Sequence, residues 1–581
     1  MSKLADILHK VQKPGRYIGE EFNVVKKDHA HCGVSVVLAY PDIYEIGMSY
    51  LGLKILYHLL NEREDVVCER VFMPWDDLAG ELRNEDMKLF SLESRTPLKD
   101  FDIVGFSLSY ELTYTNVLSM LELGGIEVLS SERGEDAPLV IAGGACCYNP
   151  EPMHRFIDVF VIGDGEEALP ALVDRYTELK KNKIGRKEAL RALAGMRGVY
   201  VPSLYEPKYV GEEFKGLEPI GPDIPRVVEK ACVTSFDSTY YPVKQLVPLV
   251  KTIHDRISVE IMRGCPNRCR FCQASAVNRP LGIRKPETVR KLCRETYLHT
   301  GYERISLLSL SSVNYPGLAG LFEALKEDLG SRRVSISIPS LRVDEAFYDV
   351  PGMLSDMRKS GLTFAPETAD DLLRSALGKD IDMGILCKSA SLAYRHGWKR
   401  IKLYFMVGFS SSVKDEAENI LQMSAKVSGV RRETASKPAE VKVSVNPFVP
   451  KAHTPFQWLP MRSRQELEEI RGQLLSSRSK YVEVDVHDIR QSFLEACMSR
   501  GDRKVADIIY TAWNNGARFD GWRDHFDPVL WADAFKANGA DIDSYACQRF
   551  GMDDVLPWEH ISAGIPKDML KKELIASGLY Q

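Results

Sequence analysis

The sequence predicts an α/β multidomain chain with a Rossmann-like domain first, then a partial (β/α)6 barrel of TIM type, then a mainly helical module. Three observations predict it. Two series of short apolar runs alternate with amphipathic stretches, a proline-rich segment divides the two series, and after Pro460 the runs give way to helical patterning rich in Trp and charge. At 581 residues the chain exceeds a single core, since domains run to about 100–200 residues.

Residues 1–30 read as an extension. In 31–185, buried strands are expected at 34–40, 102–109, 139–142 and 157–162, with helices at 49–61, 114–123 and 166–180, the order of a doubly wound domain. Residues 186–252 carry Pro202, Pro207, Pro219, Pro222, Pro225, Pro242 and Pro248 and read as a connecting segment. In 253–460, strands at 257–262, 303–310, 333–338, 362–365, 400–407 and 440–446 alternate with helical stretches. Right-handed crossovers would close them into an open barrel with its chemistry at the C-terminal strand ends. Helices at 464–479, 490–498 and 504–513 open the last module, 461–581.

Lys and Arg number 76 against 81 Asp and Glu, a formal net charge of -5, so no global basic field points to nucleic acid, although a local basic patch stays open. No run approaches the ~18–20 apolar residues of a membrane span, and residues 1–23 are charged throughout, so a cytoplasmic protein is expected. In a reducing cytosol the twelve cysteines read as core thiols plus one metal site rather than a disulfide framework.

The metal site is the most specific signal in the chain. Arg263-Gly-Cys265-Pro-Asn-Arg-Cys269-Arg-Phe-Cys272 is Cys-x3-Cys-x2-Cys directly after the first barrel strand. Three thiolates can each ligate one iron of a cubane, leaving a fourth iron open to a small molecule. Structural zinc wants four N or S ligands, and neither a fourth Cys nor a His follows within the loop.

With this motif the sequence resembles the radical S-adenosylmethionine (SAM) superfamily, and Phe271 matches the aromatic usual before the third cysteine. The resemblance implies a 4Fe-4S cluster on Cys265, Cys269 and Cys272, with SAM chelated to the open iron. It further implies reductive cleavage to a 5'-deoxyadenosyl radical, oxygen sensitivity, and a flavodoxin or ferredoxin as electron donor. In many members Gly-Gly-Glu holds the methionyl amine at the second strand end. Here that place reads Leu307-Leu-Ser-Leu-Ser-Ser312, so the role falls to backbone groups or to Ser309 and Ser311. Ser337 and Arg342 at the third strand end, Glu367 at the fourth and Gly408 at the fifth are similar to positions that touch ribose, methionine and adenine. The alternative is that they only satisfy backbone groups. Lys451 and His453, after the sixth strand, stay unassigned.

Residues 30–185 resemble the cobalamin-binding domain that precedes many such barrels, through Asp42-Ile-Tyr44-Glu-Ile-Gly47, Gly105-Phe-Ser107 and Ile141-Ala-Gly143-Gly144. The resemblance implies that Tyr44, Ser107, Gly143 and Gly144 line a corrin site. Where base-off cobalamin proteins carry a histidine lower ligand, this chain has Tyr44, a poor cobalt ligand. Any cobalamin is therefore expected to bind without histidine, its lower face open, water-capped or covered by Tyr44. The tail resembles that of a largely uncharacterised subfamily of these enzymes and implies no chemistry.

Three functions follow as alternatives. One is a cobalamin-dependent radical SAM enzyme that methylates or rearranges a substrate. Another is cobalamin-independent modification of RNA or protein, as in the methylthiotransferases, which needs a second cluster, for which Cys32, Cys68, Cys146 and Cys147 are the candidates. The last is a non-catalytic cobalamin or redox sensor.

Overall fold

In the computed structural model, which describes residues 3–338, 362–379, 381–410, 412–477 and 479–580, near-continuous apolar runs build the first sheet. Its strands are β1 (Val34–Tyr40), β2 (Val66–Phe72), β3 (Ile103–Ser107), β4 (Leu139–Gly143), β5 (Val159–Val161) and β6 (Val199–Tyr200). Their spatial order is β2-β1-β3-β4-β5-β6, parallel except for β6. Helices Leu51–Asn61, Tyr114–Gly124 and Gly165–Lys181 belong to the same domain and the sheet is covered on both faces, which is why its strands read as unbroken apolar runs.

β2 was not expected, because Glu69 and Arg70 interrupt its run. Both are buried. Glu21 of the N-terminal segment and Glu93, from the chain ahead of β3, flank Arg70 at 2.9 and 2.6 Å, and Leu4, Ile7, Val11 and Tyr17 of the same N-terminal segment join the main apolar core. The proline-rich segment contributes β6 and a hairpin, Tyr205–Val210 with Glu213–Pro219.

The barrel strands form two parallel sheets. Ile257–Glu260, Arg304–Leu308 and Ser335–Ser337 make the first, and Leu362–Glu367, Arg400–Val407, Glu440–Pro447 and Val482–Val486 the second. The seventh strand, Val482–Val486, pairs with Glu440–Pro447 and extends the sheet beyond residue 460, where only helices were expected. In Arg400–Val407 burial alternates, with Ile401, Leu403, Phe405 and Val407 buried against the helices and Lys402, Tyr404 and Met406 half-buried on the other face.

The C-terminal helices do not stand apart. Val505–Asn514 and Pro528–Ala537 share the core of the first domain. Trp513 donates to Ser119 at 3.2 Å, Trp522 to Asp42 at 3.0 Å, and Trp531 to the buried Asp520 at 2.7 Å. No helix among the described residues is long and apolar enough to cross a membrane.

Candidate functional site

The C-terminal ends of β1, β3, β4 and β5 face the ends of the first two barrel strands across a cavity of about 760 Å³. Strand C-termini beside a change of strand order are where open α/β sheets receive ligands, and β1 and β3 lie on either side of that change. Ser107, Gly143 and Gly144 line the cavity from the first domain and Ser309 from the barrel, so these four expectations meet in one place. Gly144 turns the chain there with φ +119°. A Cβ at that position would lie 2.5 Å from the Leu108 carbonyl oxygen, so only glycine passes.

Tyr44 is a correction. Its short helix, Tyr44–Gly47, turns the phenol away from the cavity onto Phe72, and the hydroxyl donates to Glu21 at 2.9 Å. The cavity is instead met by Ile46, Ser49 and Tyr50 of the same stretch. Among the described residues His254 is the histidine that lines it. Its Nδ1 lies 3.2 Å from Arg256 Nη2, which can only donate, so the neutral ring keeps its hydrogen on Nε2 and offers no free lone pair. A flat ligand seated here meets no ready imidazole.

The cysteine loop leaves the barrel at Gly264, with φ +82°, where a Cβ would lie 2.5 Å from the Asn278 carbonyl oxygen. Cys265, Cys269 and Cys272 are half-buried. Asn267 donates to Cys265 Sγ at 3.4 Å and to Ser311 Oγ at 3.2 Å, while Ser311 donates to Asn314 at 2.6 Å. Ser311 thus supports the loop through Asn267, a residue sequence reasoning missed. Burial pushes the Cys272 thiol up, the Ser275 N–H and hydroxyl offset part of this, and Lys379 favours the thiolate. Phe271 anchors the loop against the apolar cluster of Leu377, Phe448 and Trp458.

Among the described residues no three His, Cys, Asp or Glu side chains converge as a group for one metal ion. The candidates for a second cluster lie apart: Cys68 sits in β2 and Cys146 just after β4, three strands away, or about 14 Å.

The remaining expectations fall elsewhere. Ser337 spends its hydroxyl on the Ile305 carbonyl at 3.2 Å. Glu367, with φ +68°, is paired with Lys379, and the Gly408 N–H donates to Glu416 at 3.1 Å. Neither Glu367 nor Gly408 lines the cavity. Arg342 lies outside the described residues. Lys451 and His453 tie the barrel to the first domain: Lys451 bridges Glu111 and Glu495 at 2.6 and 2.8 Å, and His453 Nε2 meets the Tyr148 carbonyl at 2.9 Å.

Residues 259–423 match the family model described as Radical SAM superfamily, and residues 52–202 the one described as Radical SAM proteins, N-terminal. An uncharacterized protein of Methanocaldococcus jannaschii, MJ0966, is 24% identical over 480 residues, covering 82% of this chain and 90% of that protein. Among solved structures, the radical S-adenosylmethionine methyltransferase TsrM from Kitasatospora setae, with cobalamin and a [4Fe-4S] cluster bound, superposes with a TM-score of 0.52. It is 12% identical, and the match covers 87% of this chain and 99% of that one. The cobalamin-dependent radical enzyme OxsB, with aqua-cobalamin and S-adenosylmethionine bound, gives 0.46 at 12% identity over 94% of this chain and 79% of that one.

Proposed function

We propose that this chain, in which residues 52–202 and 259–423 match radical SAM family models, cleaves SAM reductively at a 4Fe-4S cluster held by Cys265, Cys269 and Cys272, and uses cobalamin to methylate or rearrange its substrate. The observation that carries the reading is the interdomain cavity, which the strand ends of both domains line together. Ser107, Gly143 and Gly144 would hold the corrin, and Arg263 and Gly264, which lead into the cysteine loop, line the same cavity from the barrel side. The TsrM structure, whose fold this chain shares, pairs cobalamin with a [4Fe-4S] cluster, which supports the assignment. When bound, the cluster supplies one electron to SAM and cobalamin supplies a carrier for a methyl group.

The chain's own residues do the rest. Gly264 and Asn267 shape the cysteine loop, Ser309 offers a hydroxyl on the barrel side, and Ser107 offers one on the corrin side. With Tyr44 turned away and His254 Nδ1 engaged by Arg256, no imidazole that lines the cavity among the described residues would have a lone pair free for cobalt. A flavodoxin or ferredoxin would deliver the electron.

Anaerobic reconstitution with iron, sulfide and hydroxocobalamin, followed by metal analysis and a visible spectrum, tests the reading. About four irons and one cobalt per chain, with SAM cleaved under dithionite, is the expected result. Four irons without cobalt sinks the cobalamin half. Cobalt and iron without SAM cleavage points to a sensor instead.

A further inference from the structure

Arg263, two residues ahead of the first cluster cysteine, has all five of its N–H donors engaged. Nε donates to Glu260 at 3.1 Å, Nη1 to Asp164 at 3.0 Å and Glu166 at 3.2 Å, and Nη2 to Glu166 at 2.5 Å and Glu260 at 2.9 Å. Glu260 ends the first barrel strand, whereas Asp164 immediately precedes helix Gly165–Lys181 and Glu166 lies in its first turn, just after β5. One guanidinium therefore joins the cysteine loop to the corrin-side domain, and all four residues line the shared cavity.

The junction is built to hold one geometry. Asp164 spends its other oxygen on the Val233 N–H at 3.0 Å, and Gly163 packs so close to Ala231 that a Cβ would lie 2.1 Å from its carbonyl oxygen. Arg263 lies over the Phe236 ring at 5.0 Å, with Arg284 over the same ring at 4.7 Å. Arg284 cannot replace it, because its donors go to the carbonyls of Glu260, Asp237 and Thr239. With every N–H taken, Arg263 has none left for substrate.

We propose that Arg263 is a positioning residue that fixes the cysteine loop against the N-terminal domain, and that Asp164, Glu166 and Glu260 set the charge the cluster experiences. This rests on the cluster assignment above. Removing the guanidinium leaves three carboxylates beside the loop, which disfavours an added electron, whereas removing one carboxylate does the opposite.

The test compares Arg263→Gln, Arg263→Lys and Glu166→Gln in the full reconstituted chain. The readouts are the cluster midpoint potential by electron paramagnetic resonance titration, the rate of iron loss to a chelator, and amide exchange across 163–167 and 263–272 in the metal-free chain. Arg263→Gln should lower the potential, speed iron loss about ten- to hundredfold and open both loops to exchange. Glu166→Gln should raise the potential. Arg263→Lys should restore the potential through its charge but not iron retention, because an ammonium cannot span three carboxylates in the same geometry. Equal potentials in all variants, or shifts of one sign in Arg263→Gln and Glu166→Gln, overturn the inference. Should Arg263→Gln fail to fold, the sign of the Glu166→Gln shift decides. A wild-type chain that binds no corrin sinks the cobalamin reading and leaves these three readouts intact.

Discussion

The two parallel-sheet systems of this chain treat charge in opposite ways. In the N-terminal sheet both faces are covered, so Arg70, in the middle of β2, is buried and must be met by two buried carboxylates, Glu21 and Glu93. In the barrel the helices cover only one face, and the other carries Lys402, Tyr404, Lys442 and Ser444 with their polar groups half-accessible. A sheet covered on both faces gives up ligand contact along its length and offers it only at strand ends, whereas a barrel keeps an inner wall for ligands. The candidate site lies where the covered sheet's ends meet the ends of the first two barrel strands. Four changes would break or sharpen the comparison.

The largest effect is expected from Cys265→Ala, which acts on the barrel side alone. Iron should fall from about four per chain to near none after gel filtration, and SAM cleavage should vanish, with corrin retention near the wild-type level. Loss of corrin together with iron would show that the two halves of the site are not separable.

Next is Arg70→Met. It leaves Glu21 and Glu93 buried without their cation, a cost of about 3–5 kcal/mol. At Glu21 burial opposes ionisation, but Arg70 outweighs it and holds the carboxyl below its usual range. The first urea transition should move to markedly lower denaturant. An unchanged midpoint would mean that the covered sheet does not depend on its internal charge.

Arg70 also marks where the sequence was hard to read. β1, Val34–Tyr40, and the barrel strand Arg400–Val407 were legible to the residue, both as short, largely apolar runs between amphipathic stretches. β2 was not, because an arginine in a buried strand makes sense only once Glu21, far along the chain, is placed beside it. The seventh barrel strand, Val-Glu-Val-Asp-Val, was too short and too charged to stand out among helices. The cysteine motif was legible because its ligands are local. Arg263 was quoted within that motif, but its role depends on Asp164 and Glu166 about a hundred residues earlier, which no local pattern reveals. Tyr44 was misplaced because a loop sequence does not say which way its side chains turn.

Acid should weaken the covered regions before the open one. Burial pushes His58 of the first domain down to about 3 and His453, against the Tyr148 carbonyl, down to about 4. Their folded values lie below the unfolded value near ~6.5, so the unfolded chain takes up protons first and stability is lost as pH falls from about 6.5 towards 4. Each histidine contributes a slope of up to about 1.4 kcal/mol per pH unit in that window. His453→Gln, which keeps a donor for the Tyr148 carbonyl, should flatten the curve by one such slope. A curve as steep as wild type would mean that His453 titrates normally in the folded chain.

The smallest effect tests the open wall directly. Lys402 projects from the inner face of Arg400–Val407, donates to the Tyr404 hydroxyl at 2.7 Å and lies 4.3 Å from that ring's centre. Its half-buried position leaves the ammonium partly solvated, so Lys402→Met gives up a hydrogen bond and a solvated cation while its aliphatic stem is retained. The expected change in urea stability is within about 0.5 kcal/mol, against the several expected for Arg70→Met. If Lys402→Met destabilised the chain as strongly, the inner wall would be a packed core like the first sheet, and the barrel would have no face left for SAM or substrate. A near-neutral result, combined with weaker SAM binding in the reconstituted protein, would instead assign this lysine to the ligand wall.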